Sequence, residues 1–197
     1  MDCNGNTPLH FAVGVYGQIK MFKVSTDVAN TVDFLVKCGA DINAQNKDGL
    51  TPLHVARGKE AIAACLRHTN DQRFTITDKR GRNFWHLLFL TKTQNEVELR
   101  TCIRPFITPS NAAKYDVDDL NRTPLHNACM DRNPWISQWD WLVKEFIYRF
   151  SDEHTNKQDR FGRTALHYAA LGGKTEWTDM LKMKKGNDTI ADTVRRA

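Results

Sequence analysis

Four residues, Thr-Pro-Leu-His, occur unaltered three times in this chain, starting at Thr7, Thr51 and Thr123. Two further copies keep the pattern with substitutions, Asn83-Phe84-Trp85-His86 and Thr164-Ala165-Leu166-His167. Each copy ends a longer shared phrase: Asp2 to Ala12 reads DCNGNTPLHFA, Asn46 to Ala56 NKDGLTPLHVA, Asp78 to Leu88 DKRGRNFWHLL, and Asp118 to Ala128 DDLNRTPLHNA, with DRFGRTALHYA from Asp159. Aligned on the Thr position, successive copies are 44, 32, 40 and 41 residues apart. Self-similarity at a period of a few tens of residues restricts the fold to a stack of like units, each burying its apolar face against its neighbours.

Each letter of the phrase has a local reason. Gly5, Gly49, Gly81 and Gly162 stand two residues before the Thr, and Asn121 takes that place in the fourth copy. Gly and Asn are the residues that most easily adopt positive φ, which predicts a tight turn. Thr7, Thr51, Asn83, Thr123 and Thr164 are suited to cap a following helix. Pro8, Pro52 and Pro124 then occupy the first helical position, where a missing N–H costs nothing. His10, His54, His86, His126 and His167 come three residues after the cap, within reach of the turn behind them.

This wording resembles the ankyrin repeat, whose usual period is about 33 residues. The resemblance covers nearly the whole chain apart from the insertions and the last ten or so residues. It implies an all-α solenoid of stacked helix pairs with hairpin tips, in one domain over residues 1–197. Its repeats fall at approximately 2–45, 46–77, 78–117, 118–158 and 159–197. The first, third and fourth repeats carry irregular insertions, and the expectation is a piece of a longer array or multidomain protein. Proteins of this family typically bind partners along the turn tips and the concave face of the first helices. The resemblance therefore implies a non-catalytic protein-interaction module and leaves the partner open.

Pattern along the chain places the helices. The second helix of the first repeat is expected from about Thr26 to Lys37, with Gly39 as its stop. Expected next are Thr51 to Arg57 and Glu60 to Arg67. Leu87 to Leu90 make the third repeat's first helix apolar nearly all round, and a second helix covers Glu96 to Ile103 before Pro105 and Pro109. In the fourth repeat Trp135, Ile136, Trp139, Leu142, Val143, Phe146, Ile147 and Phe150 share one helical face. The fifth repeat runs Thr164 to Leu171, then Lys174 to about Lys184. The apolar insertion Gly14 to Ser25 is expected to fold onto its own domain or to meet a partner.

Composition narrows the classes. With 41% hydrophobic and 26% charged residues the chain has the make-up of an ordinary folded domain. No apolar run approaches the roughly 18 residues of a membrane span, and the expectation is that no signal segment leads into the first repeat. Five scattered cysteines without a CxxC pair fit a reducing compartment. The expected location is intracellular, cytoplasmic with nuclear as the variant. A formal charge of +5 is compatible with an acidic or phosphorylated protein partner, or with nucleic acid.

Chemistry-bearing motifs do not assemble. Five of the seven histidines hold the same repeat position, and His68 and His154 have no ligand partner at zinc spacing. Gly173-Lys174-Thr175 looks like the end of a phosphate-binding loop but lacks the preceding Gly and the strand context. The acidic run Asp116, Asp118 and Asp119 lacks the Gly and terminal Glu of a calcium loop. The reading is no catalytic residue, no metal and no cofactor.

Candidate contacts come from the tips. Stacking predicts that Arg82, Arg122 and Arg163 line up, with Lys79, Arg80, Arg160 and Phe161 beside them. Arginine forks suit carboxylates and phosphates, and Arg beside an aromatic is a common hot-spot pairing. Trp141 and Tyr148, off the buried stripe of the fourth repeat's long helix, are a second candidate surface, with packing the favoured reading. Two alternatives stand: an oligonucleotide or nucleotide binder using the basic ladder with Phe161, and the substrate-recruiting arm of an enzyme whose catalytic domain lies elsewhere.

Overall fold

The computed structural model describes residues 1–14, 27–68, 74–89, 96–107, 117–130 and 139–184. Most of the Gly14 to Ser25 insertion, the Trp135 and Ile136 start of the fourth repeat's stripe, and Asn187 to Ala197 lie outside them. Among the described residues the longer regular elements are all helical. In chain order they are α1 (Pro8–Gly14), α2 (Asp27–Lys37), α3 (Pro52–Val55), α4 (Lys59–Arg67), α5 (Phe84–Leu88), α6 (Glu96–Ile103), α7 (Pro124–Cys129), α8 (Asp140–Arg149), α9 (Asp152–Thr155), α10 (Ala165–Leu171) and α11 (Thr175–Met183).

The starts of α1, α3 and α7 fall on the motif prolines, and Thr51 and Thr123 accept from the His54 and His126 amides as caps. Helix α6 ends at Ile103, and a 3₁₀ turn over Arg104–Phe106 carries Pro105. Two expectations need correction. Helix α3 stops at Val55 rather than near Arg57, because Ala56 turns extended at φ −57° and ψ 131°. Helix α9 was not expected, although Ser151 and His154 repeat the spacing of the Thr and His of the motif, with Oγ and Nδ1 2.7 Å apart.

The chain forms two compact units: the described residues of Met1–Phe84 and Thr91–Phe106, and those of Trp85–Leu90 and Ile107–Ala197. In the first, α1 packs on α2 and α3, α2 on α4, and α4 on α6. Its core holds Leu9, Val32, Ile62, Leu99 and Ile103, with Phe74 set between Phe84 and Phe106. In the second, α7 packs on α8 and α10, and α11 on α8 and α10. Trp85 is buried there with its ring edge-on to Phe146 at 5.6 Å, and Phe89 meets both Trp139 and Phe146. An aromatic thus takes the place that Leu holds in the other copies. Burying side chains of this size contributes about 1.5–3 kcal/mol each.

Candidate functional site

The five tips share one backbone frame, built by the first residue of each phrase. Asp78 Oδ1 accepts from the amides of Arg80 and Arg82 at 2.9 and 2.8 Å. Asp118 Oδ1 does the same for Leu120 and Arg122, and Asp159 Oδ1 for Phe161 and Arg163. Asp2 and Asn46 repeat the pattern in the first two repeats. The turn residue has positive φ in every copy, Asn121 included at 59°. At Gly49 an added Cβ would also sit 2.9 Å from the Lys79 nitrogen, because here one tip is bonded to the next. The Lys79 amide donates to the Asp48 carbonyl and the Lys47 amide to the Asn4 carbonyl in the first unit; the Arg160 amide donates to the Leu120 carbonyl in the second.

The motif histidines tie each tip to its helix. His126 Nδ1 accepts from the Thr123 amide at 3.1 Å, which leaves Nε2–H to donate to the Arg163 carbonyl at 3.0 Å. His10 Nε2 donates likewise to the Leu50 carbonyl and His86 Nε2 to that of Arg122. The role assigned to these imidazoles from spacing is therefore half of what three of them do: His10, His86 and His126 also reach forward to the following repeat. Burial disfavours the imidazolium, lowering the pKa of His126 and pushing that of His54 down to about 4.

The second carboxylate oxygen of each aspartate separates the basic residues into two kinds. Arg82 Nε donates to Asp78 Oδ2, and Arg122 Nε to Asp118 Oδ2, both at 2.8 Å. These arginine side chains are only 24% and 18% exposed, against aspartate side chains that are 2% and 0% exposed. Burial works against the Asp78 carboxylate, yet hydrogen bonds from the Arg82 side chain and the Arg82 and Arg80 amides outweigh it and lower its pKa. Arg82 and Arg122 are braces of their own turns.

Arg163 stands in the same place but is arranged differently. Asp159 Oδ2 accepts from the Tyr168 hydroxyl at 2.6 Å. The Arg163 guanidinium instead lies 4.7 Å from the Phe161 ring centroid and 5.3 Å from that of Tyr168. Burial and the bond to Asp159 raise the Tyr168 hydroxyl to about 12, so it remains a donor at neutral pH. Lys79, Arg80 and Arg160 are exposed, and Phe161 presents 61% of its surface. In the second unit Arg160, Phe161 and Arg163 thus share one tip; in the first, Lys79 and Arg80 do.

Trp141 is buried in the second unit and Tyr148 on the same helix is 78% exposed, so of these two candidates, for which packing was the favoured reading, one ring is packed and one faces outward. The Cys129 thiol is pushed up by burial to about 12 and stays protonated. Among the described residues no group of three or more His, Cys, Asp or Glu is placed to hold a metal ion, and no helix is long and apolar enough to cross a membrane.

Repeated cap, turn and helix pair, together with the forward-reaching histidines, define an ankyrin-type unit. Comparison with known families agrees: ankyrin repeats in three copies match residues 98–193, and a single ankyrin repeat matches 4–47. The chain belongs to the ankyrin-repeat family, whose repeats are generally protein-interaction modules. It is 27% identical over its whole length to the human transient receptor potential cation channel subfamily A member 1, covering 16% of that protein. It is 26% identical over 86% of its length to human Rabankyrin-5, covering 13%. The chain thus spans about a sixth or less of these relatives. The crystal structure of EF0377, an ankyrin repeat protein, superposes with a TM-score of 0.61 over 92% of this chain and 82% of its own, at 23% identity, which supports the fold.

Proposed function

We propose that this chain is a non-catalytic recognition module that holds a protein partner on its turn tips. Arg160, Phe161 and Arg163 of the fifth repeat are the principal contacts, and Lys79 and Arg80 are the corresponding outward pair of the third. The observation that carries this reading is the division of labour within the tips. Aspartate, glycine and histidine hold the backbone, while the exposed Arg160 and Phe161 side chains take no part in that frame. A surface whose backbone is already ordered loses little entropy on binding, so its contacts yield useful affinity. Arginine and an exposed aromatic are the residue types that dominate such contacts.

The test is capture from lysate at two salt concentrations, wild type against Arg160→Glu with Arg163→Glu, with nuclease treatment in parallel. A protein retained after nuclease and lost in the variant is the expected result. Nuclease-sensitive recovery that falls steeply with salt would instead identify a nucleic-acid partner, and undiminished capture by the variant would remove this tip from the interface.

A further inference from the structure

The arginines of the fourth and fifth tips occupy equivalent positions, yet the structure uses them oppositely, and the difference coincides with a single hydroxyl. Asp118 and Arg122 are four residues apart, as are Asp159 and Arg163, so the reach is the same in both. In the fourth tip the guanidinium closes on Asp118 Oδ2. In the fifth the Tyr168 hydroxyl occupies that oxygen from α10, and the guanidinium rests against two rings. At the position equivalent to Tyr168 the other repeats carry Phe11, Val55, Leu87 and Asn127, none with a phenol.

We propose that Arg163 is the anion anchor of the recognition face, that it takes one carboxylate from an acidic segment of a protein partner, and that Tyr168 is the positioning residue that releases it for this. The inference rests on the tips being the recognition surface. The Arg163 backbone is fixed at three points: its amide on Asp159 Oδ1 at 2.9 Å, and its carbonyl accepting from the Asp159 amide at 2.8 Å and from His126 Nε2 at 3.0 Å. A guanidinium held against aromatic rings rather than on a carboxylate keeps N–H donors for a bidentate acceptor. Among the described residues no carboxylate forms an ion pair with it. Exposed Arg160 lies three residues away, and the chain as a whole carries +5, so the complementary ligand is acidic.

The experiment is a titration of the ¹⁵N-labelled chain with a hexaglutamate peptide, following the Arg Nε–H signals, with decathymidylate as a second ligand. The expected result is a saturable shift at Arg163 with Arg122 unmoved. Arg163→Ala should weaken hexaglutamate binding at least tenfold. Tyr168→Phe keeps the ring but frees Asp159 Oδ2, so Arg163 closes on it and binding falls by a similar factor. Thermal melts of both variants establish that they are folded; if Tyr168→Phe does not fold, the Arg163 shift and Arg163→Ala decide. Equal shifts at Arg122 and Arg163, no saturable shift with hexaglutamate, or unchanged binding by Arg163→Ala would each overturn the anchor. Tighter binding of decathymidylate through the same signal would overturn the carboxylate source. A partner captured from lysate equally well by Arg163→Ala would leave the interaction module standing without this anchor.

Discussion

The fourth and fifth tips begin alike and finish differently. Asp118 and Asp159 each hold the amides two and four residues on, and each is followed at the same distance by an arginine. In the fourth the arginine is drawn in and neutralised; in the fifth tyrosine displaces it and it turns to aromatic faces. The availability of a charged side chain is therefore set by what competes for its partner. Position in the repeat alone does not decide it.

The scale for that comparison is the core beneath. Trp85→Ala should cost about 3–5 kcal/mol in urea unfolding, more than any change at either tip, because it empties a buried site against Phe146; a loss below about 1 would contradict that placement. Next, Asp118→Ala should cost about 3 kcal/mol, since it strands the half-buried Arg122 charge as well as two amides. Asp159→Ala should cost about 2 kcal/mol, as it strands amides and a hydroxyl but no cation. Reversal of that order in the same denaturation assay would break the distinction between the tips.

Acid probes the frame common to both. His54 in the first unit titrates at about 4 when folded, against 6.5 unfolded, so between these values only the unfolded chain takes up the proton. Stability present at pH 7 is therefore lost as the pH falls, by about 2 kcal/mol at pH 5. His126, which carries the Arg163 carbonyl, is shifted in the same direction. Chemical denaturation between pH 7 and 5 measures this, and a flat profile would mean that these imidazoles are not buried neutral. The smallest effects separate the arginines themselves: Arg122→Gln should cost about 1–2 kcal/mol and Arg163→Gln less than about 0.5.

Much of this fold is legible in the sequence because its determinants are local. Turn residue, cap, proline and histidine lie within five positions of one another, and the structure places turns at Gly5, Gly49, Gly81, Asn121 and Gly162. Helix α6 falls where Pro105 and the apolar pattern put it. The opening aspartates were equally repetitive, yet their role as amide acceptors shows only when the turn is built. The site was less legible. Arg82, Arg122 and Arg163 read as one ladder by spacing, whereas Tyr168 lies nine residues from Asp159 on the following helix and decides the rotamer by competing for a single oxygen. The hydroxyl unique to that column was the available signal. On the fourth repeat's long helix, where packing was the favoured reading for both rings, Trp141 is buried while Tyr148 is 78% exposed.

The most direct test is a pair of double-mutant cycles for folding stability, Asp118→Asn with Arg122→Gln and Asp159→Asn with Arg163→Gln. A coupling of about 1 kcal/mol or more is expected at the fourth tip and less than about 0.3 at the fifth. Equal couplings would show that Arg163 is tied to its aspartate just as Arg122 is, and would contradict the assignment of the fifth tip as the open one.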